Sequence, residues 1–338
     1  MRVSALGVAL PERVLTNHQI SAFLDTSDEW ISSRTGIRER RIARDDQAPS
    51  DLGAAAGGRA LRSAGIDPGE IDLVISASLV PDMVFPATAA VIADLLGLSA
   101  AAFDVQAGCT GFVYALACAA SFVAAGMYRR VLVVGAETVS RGLDWEDRRT
   151  CVLFGDGAGA VVVERGDDAA SFTFDLGTDG SGMIHLNMPA GAAALPASEQ
   201  TLKERLHYLR MDGPEVYRFA TRTVATSCFR VLDAAGLAVD DIDLFVPHQA
   251  NLRIIDSVVR RVGFPPDRVV TTLERLGNTS CASIPLCLAD AAMSGRLRPG
   301  KRLLLAGFGA GLSWGTCVLD WDVDHEITAP DVPDGREG

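Results

Sequence analysis

The sequence contains no apolar run long enough for a membrane span. The longest, residues 112–127, is short, alanine-rich and bounded by glycine. The N-terminus reads as an apolar strand entering a proline turn, too short for a signal-peptide core and without a clean cleavage site. The seven cysteines are odd in number and lack C-x-x-C spacing, so neither a disulfide framework nor a metal site is expected. Positive charge is in deficit: a net charge of −12 argues against a nucleic-acid partner and obliges any acidic partner to find a local basic patch. No glycine-rich stretch ends in Gly-Lys-Ser/Thr. Gly155-Asp-Gly-Ala-Gly159 feeds the strand-like residues 161–163 rather than a helix, so it is not a phosphate cradle. That segment and Gly307-Phe-Gly-Ala-Gly311 read as tight turns between strands, where a backbone must approach something closely. These absences describe a reduced, cytoplasmic protein with no membrane or nucleic-acid partner.

What is present is a chain of 338 residues, 48% hydrophobic, with 33 glycines, enough for a large core. It repeats itself. Ala64-Gly-Ile-Asp-Pro-Gly-Glu-Ile-Asp-Leu-Val74 and Ala235-Gly-Leu-Ala-Val-Asp-Asp-Ile-Asp-Leu-Phe245 stand 171 positions apart, and Arg130-Val-Leu-Val-Val-Gly135 pairs with Arg302-Leu-Leu-Leu-Ala-Gly307 at nearly the same offset. Alternating strands and helices repeated over so long a period mean a duplicated α/β unit. The Ala/Pro/Gly-rich residues 187–200 read as a loop or lid base between the halves. The acidic residues 322–338 read as a disordered tail.

Within this frame one stretch carries chemistry. Gly108 and Gly111 bracket Cys109 where a strand, residues 101–105, turns into a helix, residues 112–125, that has no charge on any face and is expected to be buried all round. A thiol at a helix N-terminus is expected to have a lowered pKa. Shifting Cys109 by the repeat offset lands near Asn278, which also precedes an apolar helix. Of five histidines (18, 185, 207, 248 and 325), His248, and less clearly His185, lies at a strand end. Ligands of α/β sheets gather at the carboxyl ends of strands, so Cys109, His248 and Asn278 are expected at comparable edges. Each has an ordinary reading as well: a small buried residue, a hydrogen-bonded histidine, a Gly-Asn turn.

Taken together, Asp25-Thr-Ser-Asp-Glu-Trp-Ile31, Arg34-Thr-Gly-Ile-Arg-Glu-Arg40, the Cys109 region, Gly155–Gly159, His248-Gln-Ala-Asn-Leu-Arg253, Gly277-Asn-Thr-Ser280 and Trp314-Gly315 resemble the β-ketoacyl-acyl-carrier-protein synthase III family, from the N-terminus to about residue 321. The resemblance implies a thiolase-like fold of duplicated βαβαβαββ halves, residues 1–170 and 171–321, layered α-β-α-β-α, in a homodimer. It implies that Cys109 takes an acyl group from acyl-CoA, and that His248 and Asn278 assist decarboxylation of malonyl-acyl carrier protein. The product is 3-ketoacyl-acyl carrier protein, no cofactor is needed, and the backbone N–H groups of Cys109 and Ala310 face the acyl oxygen. Elongating relatives carry a second histidine where Asn278 stands, thiolases a second cysteine in the last glycine-rich turn, and plant-type polyketide synthases lack the Trp30/Arg34 segment.

The resemblance also implies that Trp30 and Arg148 sandwich the adenine of CoA, that Arg34 and Asn251 touch CoA and its pantetheine, and that Phe85 closes the acyl pocket across the dimer. Arg218, Arg253, Arg260 and Arg261 would receive the acidic carrier protein; positions 253 and 260 share a helix face. Two positions depart from the pattern. Pro214 replaces a polar residue, and Ala310 replaces the middle glycine of a glycine run, where a positive φ would strain alanine. The expected primers are short or branched. Starter-unit loading or acyl transfer in secondary metabolism is the alternative, and a catalytically silent subunit is disfavoured by the intact Cys109, His248 and Asn278.

Overall fold

A computed structural model describes residues 1–166 and 172–327. Two mixed sheets form its frame. The first contains β1 (Arg2–Ala9), β2 (Leu73–Ala77), β3 (Ala101–Val105), β4 (Arg130–Glu137) and β5 (Gly157–Glu164), in the order β1-β5-β4-β2-β3. The second contains β6 (Thr173–Thr178), β7 (Leu244–Pro247), β8 (Arg302–Gly309) and β9 (Ser313–Asp320), in the order β6-β9-β8-β7. Strand directions match. The β4–β2 and β8–β7 pairs are parallel, and the pairs outward to β1 and β6 are antiparallel. A lone parallel bridge, Phe245 to Val269, occupies the place that β3 takes in the first sheet. The duplication legible in sequence is therefore a duplication of topology.

Alternation along the strands builds the layers. Val131 and Val133 of β4, with Leu303 and Leu305 of β8, turn into a central core. That core is shared with the apolar helices α4 (Gly111–Ala124) and α7 (Ser283–Met293). Leu132 and Val134 face outward beneath α2 (Pro49–Ala64) and α3 (Thr88–Leu95). Leu304 and Ala306 face outward beneath α5 (Gly213–Ala235) and α6 (Leu252–Val262). The result is α-β-α-β-α. A further short helix, α1 (Asp28–Thr35), packs beside α6.

Two expectations need correction. Helix α4 is not buried all round: Ser121 and Ala124 are exposed and Ala117 and Cys118 half-buried, so the two sheets that pack against it leave one flank uncovered. The tail does not leave the fold at 322. Val323 and Ile327 are buried in the central core, and Asp322 pairs with Arg2 at 3.3 Å; residues 328–338 lie outside the described ones.

Where β4 meets the turn carrying Cys281, only glycine fits. A Cβ on Gly135 would lie 2.5 Å from the Cys281 carbonyl oxygen. Gly135→Ala should therefore lower unfolding free energy by about 1–3 kcal/mol in urea denaturation, the usual penalty of overpacking.

Candidate active site

Cys109 lies in a single 3₁₀ turn, Gly108–Thr110, between β3 and α4. Gly108 adopts φ 55°, a conformation that suits glycine. The opposing strand end comes in backbone to backbone: a Cβ on Gly309 would lie 2.5 Å from the Cys109 nitrogen, and one on Gly108 would lie 2.7 Å from the Ala310 nitrogen. Gly307 and Gly309 belong to β8 and Ala310 to the turn that follows it, so the close approach is made by the strand end together with its turn. Ala310 is not among the non-glycine residues with positive φ, which are Arg205 and Ser280 among the described residues. Alanine is thus accommodated without strain where the family pattern has glycine.

His248 follows β7. Its N–H donates to the Ala306 carbonyl at 2.7 Å, and its ring stands edge-on to Phe308 with centroids 5.2 Å apart. The Nδ1 atom is 2.7 Å from the Ser283 hydroxyl at the start of α7, which leaves Nε2 for the cavity. Asn278 is held on three sides. Its N–H donates to Leu153 O at 2.8 Å, its carbonyl accepts from Gly155 N–H at 3.0 Å, and its Oδ1 accepts from Ser280 N–H at 2.9 Å. With Oδ1 occupied, the amide NH₂ is the end left for a ligand.

Cys109, His248 and Asn278 line one cavity of about 510 Å³, together with Trp30, Arg34, Asn251, Arg253, Pro214 and Gly309. Arg148 lies outside it, in an adjoining cleft of about 1170 Å³ that shares Met211, Gly213 and Pro214. The guanidinium carbons of Arg34 and Arg148 lie 4.7 and 5.3 Å from the Trp30 ring centroid, and Arg148 donates to Asp25 O at 2.6 Å. An inserted aromatic base needs about 7 Å between its two neighbours, at roughly 3.5 Å per contact. Trp30 and Arg148 must therefore part before anything stacks between them. Pro214 sits in the first turn of α5, where its fixed φ and missing N–H cost nothing.

Apart from Arg253, which lines the cavity rim, the other predicted residues lie away from it. Arg253, Arg260 and Arg261 are exposed on α6, with Arg253 also donating to Ser33 O at 3.0 Å. Arg218 is exposed on the adjacent α5 and is ion-paired with Glu215. Phe85 is 82% exposed and does not line its own chain's cavity. His185 sits 3.7 Å from Asp212, outside the cavity.

The electrostatics reverse one expectation. Burial pushes the Cys109 thiol up to about 12, against a lowering hydrogen bond from Ser280, so the resting sulfur is protonated despite its place before a helix. Burial lowers His248 to about 3, so its ring is neutral. Sequence reasoning missed Ser283, Ser280 and Glu137. The Glu137 carboxylate is buried behind Cys109, accepts from Leu79 N–H at 2.9 Å and Cys281 N–H at 3.2 Å, and is raised by burial. The Asn-Thr-Ser spacing hinted at Ser280; Glu137, in an otherwise apolar strand, was the signal available for the carboxylate.

Residues 103–180 match the family profile of 3-oxoacyl-[acyl-carrier-protein] synthase III, and residues 232–321 match that of its C-terminal part. The β-ketoacyl-[acyl-carrier-protein] synthase III of Symbiobacterium thermophilum is 50% identical over 94% of this chain and 97% of its own. The chain belongs to the β-ketoacyl-acyl-carrier-protein synthase III family. It is accordingly a condensing acyltransferase. The synthase III of Desulfitobacterium hafniense is 49% identical over 93% of this chain and 96% of its own. Among solved structures, the synthase III of Pseudomonas aeruginosa aligns with a TM-score of 0.88 at 44% identity, covering 97% and 99% of the two chains. The priming β-ketosynthase of a polyketide biosynthetic pathway aligns at 0.89 and 40% identity, covering 95% and 96%. No helix among the described residues is long and apolar enough to cross a membrane.

The neutral state of His248 is directly measurable. By NMR the ring should stay unprotonated from pH 8 down to about 4, since its midpoint is near 3. The unfolded chain takes up that proton near pH 6.5, so His248 should cost the fold stability progressively as pH falls from 6.5 towards 3, and His248→Gln should remove that part of the acid lability.

Proposed function

We propose that the protein condenses a short or branched acyl-CoA primer with malonyl-acyl carrier protein, releasing CO₂ and giving 3-ketoacyl-acyl carrier protein, the initiating step of type II fatty acid synthesis. The observation that carries this reading is the convergence of Cys109, His248 and Asn278 on one cavity rimmed by Trp30, Arg34 and Asn251. Residues 1–170 supply the nucleophile and residues 171–321 the His/Asn pair. Cys109 Sγ loses its proton and bonds to the thioester carbonyl carbon. The bond from that carbon to the CoA sulfur breaks, and CoA leaves as the thiol.

Malonyl-carrier protein then enters. Its carbon–carboxylate bond breaks, CO₂ departs, and the electron pair spreads onto the thioester oxygen as an enolate. His248 Nε2–H and the Asn278 NH₂ donate to that oxygen. A ring with a midpoint near 3 stays a neutral donor, with Ser283 fixing its orientation. The carbanion carbon bonds to the acyl carbon while the backbone N–H groups of Cys109 and Ala310 receive the acyl oxygen, and Sγ leaves. Loss of CO₂ supplies the carbanion, so the reaction needs no cofactor. Phe85, exposed in one chain, closes the acyl pocket of a second copy in a homodimer. The exposed Arg253, Arg260 and Arg261, with Arg218, receive the carrier protein, a basic patch on a chain of net charge −12.

The 40% identity to a polyketide priming β-ketosynthase supports a second reading, starter-unit loading in secondary metabolism. Intact mass after mixing with acetyl-CoA or isobutyryl-CoA tests the first step. An acyl adduct should form, vanish in Cys109→Ser, and discharge as 3-ketoacyl-carrier protein when malonyl-carrier protein is added. An adduct that ignores malonyl-carrier protein indicates an acyltransferase, and preference for dodecanoyl-CoA refutes the short-primer assignment. Arg260→Glu combined with Arg261→Glu should raise the KM for malonyl-carrier protein about tenfold and flatten its salt dependence, while acylation by acyl-CoA stays at the unmodified rate.

A further inference from the structure

The turn that carries Asn278 also reaches the nucleophile. The Ser280 hydroxyl lies 3.3 Å from Cys109 Sγ, and among the described residues it makes the one side-chain hydrogen bond to that sulfur. We propose that Ser280 is a catalytic residue: its hydroxyl donates a hydrogen bond to Cys109 Sγ whenever that sulfur carries negative charge, in capture of the acyl group and in its release. The assignment rests on the proposed condensation for the two moments at which charge develops. In capture, Sγ gives up its proton and its electron pair forms the bond to the acyl carbon as the CoA sulfur leaves and is protonated. In release, the bond from the acyl carbon to Sγ breaks, the pair returns to Sγ as thiolate, and a proton then restores the thiol.

Three observations support it. Ser280 is 0% exposed, so its hydroxyl is shielded from bulk water and a donor there acts at low dielectric. Its backbone is left-handed at φ 46°, a conformation that strains a non-glycine residue. Glycine would avoid that cost, so a side chain is retained where the backbone disfavours one. The other polar groups around the sulfur do not take this role. The Cys281 thiol donates to Gly108 O at 3.0 Å, His248 Nδ1 is engaged by Ser283, and the buried Glu137 carboxylate opposes charge on the sulfur. Through its N–H to Asn278 Oδ1 at 2.9 Å, the same residue fixes the amide that faces the second substrate. That contact is made by the backbone and survives loss of the hydroxyl.

The test is the rate at which iodoacetamide alkylates Cys109, followed by peptide mass between pH 7 and 9 in the full chain and in Ser280→Ala and Ser280→Gly. A reaction with iodoacetamide needs neither CoA nor carrier protein, so it stands or falls separately from the proposed condensation. Both variants should react about tenfold more slowly at every pH, the loss expected when one hydrogen bond to a charged group is removed. Glycine suits the left-handed backbone, so Ser280→Gly should melt no lower than the unmodified protein. Unchanged alkylation in both variants overturns the proposal. So does any divergence between them, because a purely conformational role separates alanine from glycine whereas a missing hydroxyl does not.

Discussion

Cys109 sits where the two duplicated halves touch backbone to backbone. The nearest approaches, Gly309 to the Cys109 nitrogen and Gly108 to the Ala310 nitrogen, leave no room for a Cβ. Everything at the site is referred to that seam. The nucleophile's turn is held against the end of β8 rather than against a flexible loop, and β8 also receives the N–H of His248 at Ala306. Asn278 is tied to residues 153 and 155 of the first half, although its own helix belongs to the second. Each half thus positions the other's chemistry, which is why a duplicated fold yields one site and not two.

Burial at this seam sets the chemistry as firmly as the geometry does. The thiol is driven up, the imidazole down and the Glu137 carboxyl up, and in every case loss of hydration is the leading cause. A site that suppresses resting charge holds its donors in reserve. With its midpoint near 3, the His248 ring stays neutral at ordinary pH, with Nε2 free towards the cavity. The cost falls on the thiol, whose conversion to thiolate must be assisted locally. A helix N-terminus alone does not offset full desolvation here, because the 3₁₀ turn sets Cys109 back from the first residue of α4.

Much of this was legible in the sequence. A repeat offset of 171 predicted the duplicated α/β unit that the five- and four-stranded sheets embody, and strand-end context picked His248 out of five histidines. What could not be read depended on burial or on backbone angle. The thiol's protonation required knowing that Cys109 is 5% exposed, and Ser280, visible only as the last residue of Gly-Asn-Thr-Ser, was not singled out because nothing in that motif announces a left-handed serine. Ala310 seemed a departure only because a glycine run suggests positive φ; the turn it occupies after β8 requires none at that position. The tail was misjudged from its acidic composition, since Val323 and Ile327 are two apolar residues spaced to reach the core between charges.

The mouth of the cavity adds a constraint that the interior does not. Arg148 rests against Trp30 while donating to Asp25 O, and Arg34 covers the same ring. Any planar group that comes to lie between Trp30 and Arg148 must first displace that guanidinium, exchanging one cation–π contact for two stacking contacts. The α1 segment, which carries Trp30 and Arg34, also supplies Ser33 O to Arg253 and Arg34 O to Asn251. Trp30 and Arg34 are thereby joined, through the carbonyls of their own helix, to α6, which carries the exposed Arg260 and Arg261.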